Sequence, residues 1–330
     1  MPDQNLYLKA IEATAIISTI CVLLIAALQR FGSKKYLSIG YVIAISCGLA
    51  VGYYMLSLQL AWPPRNALER FLTLVLPAVL VIELVAGFHR LPNWSVWLFR
   101  VTLALILPRI LLHDSVFLMG SEYGWLLWQI YLVQLVCGVL LIGLWALLSK
   151  LTERSPGVSI SLAIQMSTLC AGLTVMMALY IEGGEAALPL VAALLATTIV
   201  GSLLFKRSDE SEDNGMPVII GVGVIGLFSI LFIGRFFGEL TTESALVILL
   251  APLLCWVTEI PPLRNQKPWF VGTIRLFFVA IPLLVVLFLA KRDFDQNVAP
   301  LIVDAQFVPK IYTDLPSRTL LLSRRNVQSR

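Results

Sequence analysis

The chain has 330 residues, of which 58% are hydrophobic and 13% are charged, and its formal net charge is +4. A mean hydropathy of +0.88 excludes an ordinary soluble domain, and so small a net charge gives no reason to expect a nucleic-acid partner. Because about 20 apolar residues in a helix cross a hydrocarbon core of roughly 30 Å, the repeated apolar runs predict a multi-pass integral membrane protein.

Apolar runs of spanning length follow one another along the chain, separated by short connections rich in Gly, Pro, Asn and Ser. The predicted fold is all-α: a polytopic bundle of about ten transmembrane helices in residues 1–290, followed by a polar C-terminal tail in residues 291–330. The predicted spans are 10–28, 38–58, 71–88, 94–112, 125–148, 158–181, 186–205, 216–237, 244–258 and 269–290. The ninth is the shortest. If it did not span the membrane, the C-terminal tail would lie on the opposite side.

Lysine and arginine are concentrated in every second connection. The connections around Lys34, Lys150 and Lys206 are basic, whereas the alternate set carries several glutamates, among them Glu182 and Glu239. Since cytoplasmic loops are enriched in Lys and Arg, the basic set is predicted to be cytoplasmic. The N-terminus is then extracytoplasmic, in a multi-pass protein of the cell membrane.

This orientation predicts a labelling result. In a cysteine-free background, a single cysteine at Ser208 should not react with an impermeant thiol reagent in intact cells, because its connection faces the cytoplasm. The same cysteine should react once the membrane is opened, which serves as the control. Labelling at this position in intact cells would contradict the orientation.

The second span carries small residues at every fourth position. Gly40, Ala44, Gly48 and Gly52 lie on one face of the predicted helix. Small residues at this spacing let two helix backbones approach closely, which promotes helix association in lipid. We expect this face to contact a neighbouring span of the same chain, with a homodimer interface as the alternative. Gly48→Leu should then destabilise the protein more than Leu49→Ala.

Two charged residues are predicted at similar depth in the third and fourth spans. An antiparallel hairpin with its turn near Leu91-Pro92 places Glu83 and Arg100 level with each other, and Glu259 and Arg275 flank the last connection more loosely. Ionisable groups at membrane depth are costly unless they are paired. The sequence therefore predicts a structural ion pair between Glu83 and Arg100, with a proton or substrate pathway as the alternative.

Two glutamines continue polar stripes inside spans. Gln165 shares a helix face with Ser161 and Thr168 in the sixth span, and Gln134 shares one with Tyr131 in the fifth. Such stripes either join helices by hydrogen bonds or line a polar cavity. We favour the hydrogen-bonded contact.

A cluster at the end of the fourth span combines Arg109, His113 and Asp114. Adjacent His and Asp residues can act in acid–base chemistry, but no Ser or Cys nucleophile in a recognisable setting accompanies them. A solvated helix end is the simpler interpretation. The five cysteines lie in apolar runs without CxxC spacing, and only two histidines occur, so neither a metal site nor a cofactor is predicted.

The eighth span contains a formal GxGxxG motif, from Gly221 through Gly223 to Gly226. A dinucleotide site requires this motif between a strand and a helix in a βαβ unit. Here the glycines lie within one apolar run, which favours close helix packing or a local helix break.

Three functions remain open from the sequence. A non-catalytic membrane component, either a scaffold or a partner subunit, is favoured because no catalytic or transport motif stands out. A small-solute or proton-coupled transporter would explain the intramembrane polar groups. An enzyme acting on a lipid-linked substrate would use the cluster in the fourth span. The expected partners are the lipid bilayer and another membrane protein or a second copy of the chain.

Overall fold

The computed structural model describes residues 4–29, 37–58, 62–87, 92–115, 117–118, 125–155, 157–205, 216–260 and 267–297. These residues form helices and no strand, and ten helical segments are long and apolar enough to cross a membrane. The prediction of an all-α bundle is confirmed. The spanning segments are Asn5–Leu28, Ser38–Met55, Ala67–Gly87, Trp94–Leu112, Leu127–Arg154, Val158–Met177, Ile181–Leu204, Pro217–Phe237, Thr242–Glu259 and Trp269–Gln296.

Twelve α-helices in the described ranges build these segments. They are α1 (Gln4–Gln29), α2 (Leu37–Met55), α3 (Ala67–Arg70), α4 (Leu76–Gly87), α5 (Asn93–Leu112), α6 (Leu127–Arg154), α7 (Val158–Met177), α8 (Ile181–Glu185), α9 (Ala187–Phe205), α10 (Met216–Phe237), α11 (Thr242–Leu250) and α12 (Pro268–Asn297). The chain divides into two compact units, Met1–Leu287 and Phe288–Arg330, and of the second the structure describes only residues 288–297, the end of α12.

The third span changes helix type along its length. A π-helical turn, Phe71–Val75, separates α3 from α4, and the N–H of Leu76 bonds to the carbonyl of Phe71 five residues earlier. Pro77 has no N–H, so the carbonyl of Thr73 lacks its α-helical donor. The wider turn lies directly after Arg70.

The ninth span is complete although it has few residues. After α11 the chain continues as a 3₁₀-helix, Ala251–Glu259, so the span has 18 residues from Thr242 to Glu259. A 3₁₀-helix rises about 2.0 Å per residue and an α-helix about 1.5 Å, so the two halves together reach about 30 Å. The stretched second half explains how so short a run can cross a membrane.

Helix α10 is the centre of the bundle. In its spanning window 94% of the residues are buried, against 17% for α1 and 22% for α12. The glycines of the GxGxxG motif make this packing feasible, because a Cβ on Gly223 would lie 2.8 Å from Cγ2 of Ile164, and Gly226 packs against Leu190. The interpretation of the motif as a helix-packing sequence is confirmed.

The small-residue face of α2 packs against α1. A Cβ on Gly40 would lie 2.6 Å from Cγ2 of Ile25, Gly48 faces Ser18, and the Ser18 hydroxyl donates to the Ala44 carbonyl at 3.2 Å. The predicted contact within the chain is therefore present, and this face is covered by the chain itself.

At its end, the same α2 face meets a further helix. A Cβ on Gly52 would come close to Thr14 of α1 and would lie 2.6 Å from Cβ of Pro189 in α9. Leu49, the comparison position, is only 2% exposed. It is a core residue, so its truncation should itself destabilise the protein.

Candidate functional site

Glu83 and Arg100 form a two-pronged ion pair inside the bundle. The Nε of Arg100 donates to Oε1 of Glu83 at 3.1 Å, and Nη2 donates to Oε2 at 2.9 Å. Glu83 is fully buried and Arg100 is 7% exposed. The predicted contact is present, and its parallel geometry is the one in which a guanidinium and a carboxylate bind most strongly.

Aromatic rings and a glycine enclose this pair. The Arg100 guanidinium lies 5.4 Å from the ring centre of Trp97 and 5.2 Å from that of Trp145. A Cβ on Gly221 would lie 2.8 Å from Cδ of Glu83, so the carboxylate occupies space that a larger residue would fill. The contacts of Trp145 and Gly221 with this pair were not predicted from the sequence, because both residues lie far along the chain from the hairpin that carries the charges.

A second buried pair lies at the end of the ninth span. The Nη2 of Arg275 donates to Glu259 at 3.0 Å, while Nε donates to Thr258 at 2.6 Å and Nη1 to Ser159 at 3.3 Å. Ser155 also donates to Glu259, at 2.8 Å. Arg275 is 3% exposed, so this looser predicted pair is present as a network that joins three helical segments.

Both glutamines of the polar stripes bond to neighbouring helices. The Nε2 of Gln134 donates to the Leu105 carbonyl at 3.1 Å, and that of Gln165 donates to Thr198 at 2.8 Å. The structure thus contains the favoured helix–helix hydrogen bonds. Within the described ranges, Oε1 of each glutamine has no hydrogen-bond partner, and Tyr131 points away from its stripe with 61% exposure.

The cluster at the end of the fourth span has a different arginine from the one expected. Arg109 is exposed, and it is Arg70, 4% exposed, that bonds to Oδ2 of Asp114 at 3.1 Å and to the His113 carbonyl. His113 Nδ1 lies 2.8 Å from the same Asp114 oxygen. Arg70 precedes Asp114 by 44 residues, so only the fold shows that the two residues meet.

An acidic cavity lies near the start of α3. Its volume is about 330 Å³, and its lining includes Glu69, Glu182 and Glu185 together with Ser57 and Asn66. Glu185 is 8% exposed and accepts a hydrogen bond from the Tyr7 hydroxyl of α1. This cavity was not predictable from the sequence, because its acids come from two distant segments.

The negative charge around this cavity affects the pKa of Tyr180. Burial raises the pKa of Tyr180 to about 12, and the nearby carboxylates of Glu182 and Glu69 add to the rise. Both carboxylates disfavour the phenolate because like charges repel.

No protein-family model matches the chain, and neither a curated protein nor a solved structure shows significant similarity to it. Function therefore rests on the side chains and their contacts. Within the described residues, no group of three or more His, Cys, Asp and Glu side chains could hold a metal ion.

Proposed function

We propose that this multi-pass membrane protein is a non-catalytic membrane component, a scaffold or partner subunit. The observation that carries the proposal is the Glu83–Arg100 pair, buried between helices and joined by two parallel hydrogen bonds. A transport pathway needs ionisable groups that can exchange partners with a solute or a proton. This pair is instead enclosed by the protein, since the Arg100 guanidinium lies beside Trp145 and the Glu83 carboxylate lies against Gly221.

The other polar contacts support the same role. All three guanidinium nitrogens of Arg275 donate hydrogen bonds to side chains of the same chain. The small-residue face of α2 packs against α1. Polar groups arranged in this way fix one arrangement of helices, which is the property a scaffold requires.

An enzyme acting on lipid-linked substrates has less support. His113 and Asp114 are in contact, but Arg70 also engages this aspartate. The adjacent Ser115 hydroxyl is buried and has no hydrogen-bond partner among the residues that the structure describes. An activated serine nucleophile requires a base within hydrogen-bonding reach.

A purification and a flux assay together test the proposal. The full chain, extracted from its native membrane in a mild detergent, should elute with another membrane protein, or with further copies of itself, at fixed stoichiometry. In liposomes carrying an internal pH-sensitive dye, it should pass no more protons than protein-free liposomes. An isolated monomer in the first assay, or proton flux that the Glu83→Gln/Arg100→Gln variant abolishes in the second, would contradict the scaffold.

A further inference from the structure

One outward face of α6 is apolar along its middle and ends in two cations. Residues spaced by three or four positions share a helix face, and on this face they are Gly143, Leu147, Lys150 and Arg154. Leu147 is 42% exposed, and no atom of the described chain lies within 4 Å of a Cβ built on Gly143. Lys150 and Arg154 are both exposed. The face is therefore open to lipid and positively charged at its end.

The length of α6 places these two cations among the lipid headgroups. The spanning segment Leu127–Arg154 has 28 residues, which extend over about 42 Å, whereas the hydrocarbon core is roughly 30 Å thick. The last turn of α6 therefore reaches beyond the hydrocarbon. Trp269 lies at the same end of the bundle, since α12 packs beside the start of α7, where a Cβ on Gly272 would lie 3.7 Å from Cβ of Ser159. Trp269 is 69% exposed, as is typical of tryptophan in the headgroup layer.

Arg154 is held in position without a counter-charge. Its guanidinium lies 5.7 Å from the ring centre of Trp256, a contact that orients the side chain and leaves its N–H donors unused. The nearby carboxylate of Glu259 is already engaged by Arg275. Among the residues that the structure describes, neither Arg154 nor Lys150 takes part in an ion pair. An anion from outside the chain would complete both cations.

We propose that this face of α6 binds an anionic phospholipid. Its phosphate pairs with Arg154 and Lys150, because a guanidinium binds a phosphate through parallel charge-assisted hydrogen bonds. One acyl chain lies along the open apolar surface at Leu147 and Gly143. Lys150 belongs to the connections predicted to be cytoplasmic, and the cytoplasmic leaflet is the one that carries anionic lipids. This site is additional to the proposed scaffold role, and neither depends on the other.

Titration of the purified full chain in an uncharged detergent with fluorescent dioleoyl phosphatidylglycerol tests the site. We expect saturable binding, and roughly tenfold weaker affinity for Arg154→Gln, equivalent to about 1.4 kcal/mol. Because Arg154 contacts Trp256, the melting temperature checks that this variant folds. Lys150→Gln replaces an exposed side chain and should weaken binding severalfold without affecting folding. The matched control is Lys9→Gln, an exposed lysine on α1 outside this face, and its affinity should equal that of the unmodified chain.

Two further ligands separate an anionic lipid from its parts. Dioleoyl phosphatidylcholine with the same label carries the same acyl chains and no net charge, so it should bind at least tenfold more weakly. Inorganic phosphate at the concentration of the lipid should not displace the lipid, since it makes no apolar contact. Absence of saturable binding would overturn the proposal, as would equal affinity for the two lipids. Displacement by free phosphate, or unchanged affinity in both Arg154→Gln and Lys150→Gln, would do so too.

Discussion

Removing either charge of the Glu83–Arg100 pair should destabilise the protein more than removing both. Glu83→Gln leaves Arg100 buried beside Trp145 without a counter-charge, and Arg100→Gln strands a fully buried carboxylate. Breaking a buried pair in this way costs about 3–5 kcal/mol, whereas losing both charges removes the desolvation penalty together with the attraction. The double variant should therefore recover much of the loss.

The measurement is a double-mutant cycle read by melting temperature and by folded yield in detergent. Thr102→Ala is a suitable control on the same helix, since Thr102 is exposed and bonds only to the Leu98 carbonyl of its own helix. Additive effects of the two charge changes would show that the residues do not act as a pair. A double variant that is stable but has lost its biological function would point to a working site and away from a scaffold.

Gly48→Leu should cause the second large loss of stability. The space that its side chain needs is filled by the Ser18 side chain and by the Thr14 carbonyl, which would lie 3.1 Å from the new Cβ. Backbone cannot move aside as a flexible side chain can, so α1 and α2 must separate. Overpacking of this kind typically costs about 1–3 kcal/mol, and more where a whole helix contact is lost.

The matched control for this substitution is Ala50→Leu. Ala50 lies on the same helix but is exposed, so a leucine there extends toward lipid and should leave the melting temperature unchanged. Unlike Ala50→Leu, Leu49→Ala should lower the melting temperature, since the cavity left by a buried leucine costs about 2–5 kcal/mol. Equal tolerance of Gly48→Leu and Ala50→Leu would remove the close-packing interpretation of α2.

The Glu83–Arg100 contact was predictable because it is local. The two residues belong to consecutive helices, so the position of the turn fixes their relative depth, and the cost of an unpaired charge in lipid requires that they meet. The enclosing residues Trp145 and Gly221 belong to α6 and α10. Nothing in the hairpin itself selects which distant helices pack against it.

The cluster around Asp114 shows the same limit. Sequence proximity suggested Arg109, yet Arg70 makes the contact, because the chain brings α3 beside the end of α5. The acidic cavity is a further case. Its glutamates come from α3 and α8, and their convergence depends on how these two short helices are placed.

Composition by itself determined that the chain crosses a membrane, because hydrocarbon requires long apolar helices whose backbone groups are satisfied internally. The order of residues along the chain also determined the number of spans and the pairing of charges within hairpins, since both depend on neighbours in the sequence. Only the tertiary structure decided that α10 lies at the centre and α1 at the edge. In lipid the inward and outward faces of a helix are similarly apolar, so no hydrophobic period shows which helices meet, and side-chain packing decides it.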